Sequence, residues 1–156
     1  MLRLEPIGRV VSGRTEVADG YWGGVKSVIR LDDRFPVETV QGLDEFSHLA
    51  VTWAFHLAPP DDVALHAHSP RNNPAWPVTG TFVHRNHRRP NQIATSFPRL
   101  LQVDGLDLHV TDLDAVVGTP VLDLAPYFRE MGPRGPVDEP SWPEEMLRDY
   151  WAEPRP

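Results

Sequence analysis

The densest group of side chains able to do chemistry lies in a short polar stretch near the middle of the chain. Residues 84–91 read His-Arg-Asn-His-Arg-Arg-Pro-Asn and contain three arginines and two histidines. Guanidinium groups bind carboxylates and phosphates through paired hydrogen bonds, and Pro90 stiffens the loop that holds them. This pattern predicts a site for an anion or a nucleotide, with a solvated charged loop as the commoner alternative.

Histidines and aspartates elsewhere offer acid–base chemistry. His48 and His56 flank a strongly apolar stretch, and an unperturbed imidazole titrates near neutral pH. Asp114 precedes the turn Gly118-Thr119-Pro120, which leads into another apolar stretch. Such residues are more often structural hydrogen-bonding groups or turn caps, so both roles stay open. The pair His66 and His68 stands alone in a loop, and we expect no metal site.

The composition excludes several kinds of chemistry. The chain has no cysteine, which rules out disulfides, thiolate metal sites and a cysteine nucleophile. Lys26 is the single lysine, so a Schiff-base mechanism would depend on it alone. The formal net charge of −7 does not suit a protein that binds nucleic acid over its whole surface. A nucleic-acid partner would therefore need a local basic patch.

The elements that must position these residues are predicted to be short β-strands. Seventeen prolines in 156 residues disfavour long helices. Strands are expected at residues 4–12, 25–31, 46–56, 79–85, 100–103, 106–113 and 121–124, with a hairpin turn at Asp104-Gly105. In the third of these, the polar face of His48, Thr52 and His56 is predicted to line a groove or a barrel interior. Because no crossover helices separate the strands, the fold class is mainly β, a small antiparallel β-barrel with long loops.

The two ends of the chain complete the expected architecture. Residues 141–144 fit a capping box, and apolar residues at helical spacing follow, which predicts a short C-terminal helix of about two turns packed against the body or a partner. Residues 1–156 are expected to form a single domain with a C-terminal extension at about 128–156. No apolar run approaches the roughly 20 residues that cross a bilayer, and the N terminus has no signal-peptide layout. We expect no membrane association and a cytoplasmic location.

Four sequence blocks, taken in order, resemble one protein family. They are residues 6–10, 42–56, 80–96 and 113–127. The ordered set resembles the TsaA-like (TrmO-type) family of S-adenosylmethionine-binding proteins, whose characterised members N6-methylate the threonylcarbamoyladenosine next to a tRNA anticodon. The resemblance covers nearly the whole chain from residue 5 to 127, and the ordered set is more specific than any single block.

The resemblance implies a small β-barrel that binds S-adenosyl-L-methionine and forms a homodimer, through the C-terminal segment or the barrel edge. The implied cofactor-binding residues are Phe82, Arg85, Arg89, Pro90, Asn91, Ile93, Ser96, Asp114, Gly118, Thr119 and Pro120. The candidate catalytic residues are His48, His56, Asp114 and Tyr127. The implied function is a methyltransferase acting on tRNA.

Two departures from the family pattern keep other functions open. Val117 and Ala125 stand where the family tends to have an acid and a lysine. A histidine would then have to remove any proton, and His48, His56, His84 and His87 are the candidates. The alternatives are an enzyme that uses the cofactor on an unknown small-molecule acceptor, by methyl transfer or by cleavage or cyclisation of the methionine chain, and a non-catalytic cofactor-binding module.

Overall fold

Seven short antiparallel strands carry the fold of the chain, which a computed structural model describes from Met1 to Pro156. The strands are β1 (Gly8–Ser12), β2 (Lys26–Leu31), β3 (Leu49–Ala54), β4 (Ile93–Ser96), β5 (Arg99–Asp104), β6 (Asp107–Thr111) and β7 (Pro120–Pro126). They form one sheet in the order β4-β3-β7-β1-β2-β6-β5. The mainly β, antiparallel class predicted from the sequence is confirmed.

The closure of this sheet into a barrel is incomplete. Its continuous ladders leave β4 and β5 as the two edges. A single bridge joins His48, at the start of β3, to Arg99, at the start of β5. Beside it, the amide of Leu49 donates to the carbonyl of Pro98 at 3.0 Å and that of Leu100 to the carbonyl of Ser47 at 2.8 Å. "Barrel" is therefore only a loose description of the observed sheet.

The core lies on the apolar face of β3 and its neighbours. Leu49 and Val51 are fully buried and Trp53 is 5% exposed, and they pack in a cluster of 14 buried residues. Side chains alternate between the two faces of a strand, so His48 and His56 lie on the opposite face. The prediction that this polar face lines a barrel interior is wrong, because burying the three large apolar side chains removes far more apolar surface from water. That it lines a groove stays a prediction.

Two predicted elements in the middle of the chain also differ from the structure. The strand predicted over residues 79–85 is a single 3-10 turn at Thr81–Val83, and only Thr79 pairs, with His68. A strand needs a partner as well as β-branched residues, and none runs beside this segment. The strand appears instead at β4, inside the predicted cofactor loop, where it pairs with β3. The predicted hairpin is confirmed, with the turn between β5 and β6.

The C-terminal helix is shorter than predicted. Helix α1 covers only Trp142–Met146, and Ser141 makes no side-chain capping bond because its own backbone is helical rather than extended. The following segment runs beside residues 21–23, where the amides of Tyr21, Trp22 and Gly23 donate to the carbonyls of residues 149, 150 and 152 at 2.8–3.1 Å. The C-terminal segment thus packs on its own chain. No helix in the structure combines the length and apolar character needed to cross a membrane.

Candidate functional site

Four side chains from distant parts of the chain form one hydrogen-bonded group, which we call the Asp114 network. The indole Nε1 of Trp53 donates to Ser96 Oγ at 2.9 Å. The Ser96 hydroxyl donates to Asp114 Oδ1, and the Tyr150 hydroxyl donates to Asp114 Oδ2. Because an indole nitrogen can only donate, the single hydroxyl hydrogen of Ser96 is left for Asp114. Both carboxylate oxygens of Asp114 are therefore held by neutral donors.

The strand pairing explains why Ser96 reaches this position. Ser96 lies opposite Val51 in the β3–β4 ladder, while Trp53 lies opposite Ala94, so the Trp53 and Ser96 side chains meet across a diagonal on the buried face. Asp114 follows the fully buried Leu113, which fixes it against this face. The network thus places a carboxylate at the edge of the core.

Tyr150 is the member of the Asp114 network that sequence reasoning misses. Burial, followed by the charge of Asp114, raises the pKa of the Tyr150 phenol above its usual value of 10.0, so the phenol stays protonated as a donor. The helical spacing of residues 146–151 indicates only that Tyr150 belongs to a packing stripe. No local pattern signals a bond between residues that are 36 positions apart.

Arg85 places a positive charge close to this network. Its Nη2 donates to the carbonyl of Thr95 at 2.7 Å, directly before Ser96 in β4. The guanidinium charge also opposes the rise in the pKa of Tyr150, which shows its proximity. No ion pair joins Arg85 to Asp114, since the chain's four ion pairs all involve other residues. A cation and an anion therefore remain available to a ligand that carries both charges.

A second group of predicted residues gathers at the end of β3. The φ of Gly118 is 91°, and a Cβ there would lie 3.1 Å from His56 Nε2. The amide of Phe55 donates to the carbonyl of Gln92 at 3.0 Å, which brings the loop of Arg89 to the same end. The Nε of Arg89 is buried and has no hydrogen-bond partner. An arginine donor without an acceptor at this place is suited to an anionic ligand.

The remaining predicted cofactor residues differ in their exposure. Phe82 is 78% exposed. In the loop, Pro90 and Asn91 are exposed and Ile93 is half-buried opposite Ala54. In the turn, Thr119 is 1% exposed and Pro120 begins β7. Of the positions that depart from the family pattern, Val117 is half-buried and Ala125 is exposed on β7.

His48 and Tyr127 lie at the opposite end of β3 from His56. The amide of Tyr127 donates to the carbonyl of His48 at 2.8 Å. The six residues of β3 alone span about 20 Å, at roughly 3.3 Å per residue. The four predicted catalytic residues thus do not meet at one place within a single chain.

Other charged residues of the 84–91 loop are bound within the protein. His87 Nε2 lies 2.7 Å from Asp62 Oδ2, and Arg88 Nε lies 3.2 Å from Asp62 Oδ1. His84 is buried and stacks on His68 with ring centroids 4.0 Å apart. No set of three or more His, Cys, Asp or Glu side chains is arranged to hold a metal ion. The Nε of Arg88, like that of Arg89, lacks a hydrogen-bond partner, but Arg88 is paired by charge with Asp62. The loop therefore contains structural residues and two arginines, Arg85 and Arg89, that form no ion pair.

Together these features define a class of protein: a mainly β domain with a candidate ligand site built from a polar loop and a Gly-Thr-Pro turn, without a glycine-rich nucleotide fold. The chain belongs to the family described as tRNA-methyltransferase O N-terminal domain, whose model matches residues 19–132. The family predicted from the four sequence blocks is thus confirmed. The matched region contains Arg85, Ser96 and Asp114, and it ends before Tyr150.

Known proteins similar to this chain agree with that assignment. A human protein named tRNA (adenine(37)-N6)-methyltransferase is 34% identical over 115 residues, 74% of this chain and 24% of its own length. A probable S-adenosyl-L-methionine-binding protein of Methanothermobacter thermautotrophicus is 30% identical over 86% of this chain and 96% of its own length. A crystal structure of TrmO from Pseudomonas aeruginosa has a TM-score of 0.71 and 26% identity, covering 90% of this chain and 61% of that one. The chain spans about a quarter of the length of the mammalian relatives it matches.

Proposed function

We propose that this chain binds S-adenosyl-L-methionine and transfers its methyl group to N6 of the threonylcarbamoyladenosine next to a tRNA anticodon. The observation that carries the proposal is the family match over residues 19–132. Support comes from the similar proteins that are named for this cofactor and for adenine-37 N6 methylation. We treat residues 1–156 as one TsaA-like domain, with 128–156 as its C-terminal extension.

The available charges fit the cofactor. Its methionine part carries a carboxylate, an ammonium and a sulfonium, and when bound it supplies an electrophilic methyl group. Arg89, with a buried Nε that lacks an acceptor, and Arg85 are suited to the carboxylate, and Asp114 to the cationic groups. Phe82 and Ile93 would form an apolar wall, while Pro90, Asn91, Ser96 and the Gly118-Thr119-Pro120 turn would shape the remainder.

Methyl transfer to a nitrogen that carries a proton needs a group that accepts this proton, within about 3 Å of it. We assign this role to His56, because it lies beside the Gly118 turn at the same end of β3 as the Arg89 loop. No acid or lysine stands at positions 117 and 125, so the proton acceptor we propose is a histidine. His48 and Tyr127 remain candidates for a site that needs a second chain.

A homodimer would bring such a second chain to the His48 end. The side chains there are apolar and open to solvent: Phe97 is 51% exposed, Phe128 46% and Met131 80%. Exposed apolar groups of this size are characteristic of contact surfaces. We therefore propose a homodimer through this end and a cytoplasmic location, where the tRNA acceptor is found. Sedimentation equilibrium tests the dimer, and a monomer at micromolar concentration would refute it.

The experiment that tests the function measures products under two conditions. The protein is incubated with S-adenosylmethionine plus tRNA that carries threonylcarbamoyladenosine, and then with the cofactor alone. We expect tRNA-dependent S-adenosylhomocysteine and a methylated nucleoside by mass spectrometry. Methylthioadenosine above the spontaneous background, formed without tRNA, would overturn methyl transfer in favour of cofactor cleavage. Neither product, or methyl transfer only to a small molecule, would overturn the tRNA assignment.

A matched pair of variants tests the assignment of His56. His56→Asn is expected to lower turnover while S-adenosylmethionine affinity is kept, because the residue would act on the acceptor's proton and not on the cofactor. His66→Asn, an exposed histidine in another loop, is the control and should turn over normally. Equal turnover in the two variants would exclude His56 as the proton acceptor.

A further inference from the structure

The C-terminal segment is fixed to the body of the protein in a defined register. Three amides of residues 21–23 donate to its carbonyls at 3.1, 2.8 and 3.1 Å. Gly23 is packed so closely that a Cβ would fall on the carbonyl of Trp151. The guanidinium of Arg71 adds a tie, because it donates to the carbonyl of Met146 at 3.0 Å and to that of Asp19 at 2.7 Å. The backbone of Tyr150 is thus held in one place.

This fixed backbone places one polar group, the hydroxyl of Tyr150, in the candidate site. The hydroxyl of Tyr150 donates to one oxygen of Asp114, while the other oxygen is held by Ser96. A carboxylate bound through one oxygen alone can rotate about its χ2 bond, since that torsion is broad. A second donor from a different element removes this freedom.

We propose that Tyr150 is a positioning residue, which acts through Asp114 to hold its carboxylate toward the cationic part of the bound cofactor. The inference rests on the proposed function. It goes beyond the family match, because Tyr150 lies 18 residues after the matched region ends at residue 132. The C-terminal segment then contributes a side chain to the cofactor site of this chain, in addition to packing against its body.

The main test is the substitution Tyr150→Phe, which removes the hydroxyl and keeps the ring. We expect S-adenosylmethionine to bind about tenfold more weakly by titration calorimetry. The affinity for neutral S-adenosylhomocysteine should change less, because it lacks the sulfonium charge that a carboxylate attracts. Tyr21→Phe is the matched control, since Tyr21 lies on the neighbouring segment and its hydroxyl makes no hydrogen bond. The control should bind both ligands as the parent does.

A double-mutant cycle separates positioning from simple packing. In an Asp114→Asn background, Tyr150→Phe should cause little further loss of S-adenosylmethionine affinity, because its effect runs through the carboxylate. Equal losses in the two backgrounds, or an unchanged preference for S-adenosylmethionine over S-adenosylhomocysteine in Tyr150→Phe, would overturn the proposal. So would parent-like binding by a folded Tyr150→Phe protein. If the parent binds neither ligand, the proposed function fails and this inference with it.

Discussion

Arg89 decides whether the 84–91 loop is a ligand site or a solvated surface. Its Nε is buried without a partner, so a ligand carboxylate would supply the missing acceptor. Arg89→Ala should weaken S-adenosylmethionine binding ten- to hundredfold, because a charge-assisted hydrogen bond contributes about 1.5–3 kcal/mol. Calorimetric titration measures this loss, and Arg129→Ala, at an exposed arginine after β7, is the control. Parent-like affinity in a folded Arg89→Ala protein would contradict the prediction.

Some residues of the candidate site are accessible to sequence reasoning and others are not. Arg85, Ser96 and Asp114 stand in motifs that resemble a family, and the structure brings them near one another. The role of Tyr150 is not accessible, because it depends on how the C-terminal segment packs against residues 21–23. The inward direction expected for the polar face of β3 fails for a related reason: burial of apolar side chains decides which face turns inward.

At the scale of elements, Gly23 holds the C-terminal segment in place. Its lack of a side chain lets the carbonyl of Trp151 approach, so Gly23→Ala must push the segment away. We expect chymotrypsin to cleave near residues 150–151 much faster in this variant, as followed by mass spectrometry. Gly20→Ala is the matched control, because a Cβ there would meet the same segment only at an ordinary contact distance of 3.5 Å. Equal cleavage of the two variants would show that the segment is not held at Gly23.

The loop that carries His68 should make stability depend on pH. Burial, and then the charge of His84, lower the pKa of His68 below its usual 6.5; a hydrogen bond to the backbone of His66 opposes this shift, and the charge of Arg88 adds to it. Below pH 6.5 the unfolded chain binds a proton that the folded chain excludes, so the free energy of unfolding falls as the pH falls. At pH 7.5 the imidazole of His68 is neutral in both the folded and the unfolded chain, so its effect on the free energy of unfolding vanishes.

Urea unfolding between pH 7.5 and 5.5 measures this dependence. The parent should lose stability over this range, and His68→Gln should lose less. Asp62 and Asp107, whose pKa values are lowered from 3.8 by His87 and Arg30, contribute losses only near or below pH 4 and do not interfere. Parallel curves for the parent and His68→Gln would contradict the assignment.

The strands show what periodicity can and cannot predict. The β5–β6 hairpin follows from a local turn signal, and β2 and β7 from local β-branched content. One error of prediction affects two segments: a strand is predicted at residues 79–85, where none forms, and β4 is not predicted. Both segments have residues that suit a strand, and only the second comes to lie beside β3. Such a choice depends on contacts between distant segments, which a local pattern does not contain.

At the scale of the whole molecule, the net charge limits how the proposed tRNA substrate can be held. A chain with a formal charge of −7 must bind through a small basic patch, and this patch would need arginines other than Arg85 and Arg89, which the proposed cofactor site uses. Neutralising two or three single-strand phosphates gives a slope of about −1.4 to −2.1 in a plot of log affinity against log salt. Fluorescence anisotropy measures this slope when an anticodon stem-loop is titrated at salt concentrations from about 50 to about 300 mM. A slope steeper than about −5 would point to a much wider basic surface.

The single bridge between His48 and Arg99 gives the sheet a preferred place to unroll. Strand β2 is paired on both sides, whereas β5 meets β3 only at this one junction. Brief opening there would release the amides of Leu49 and Leu100 while the remaining ladders stay intact. Native-state hydrogen exchange should then show these two amides exchanging together, at a lower opening free energy than the amides of β2. Exchange of all of them at one common free energy would mean that the molecule opens only as a whole.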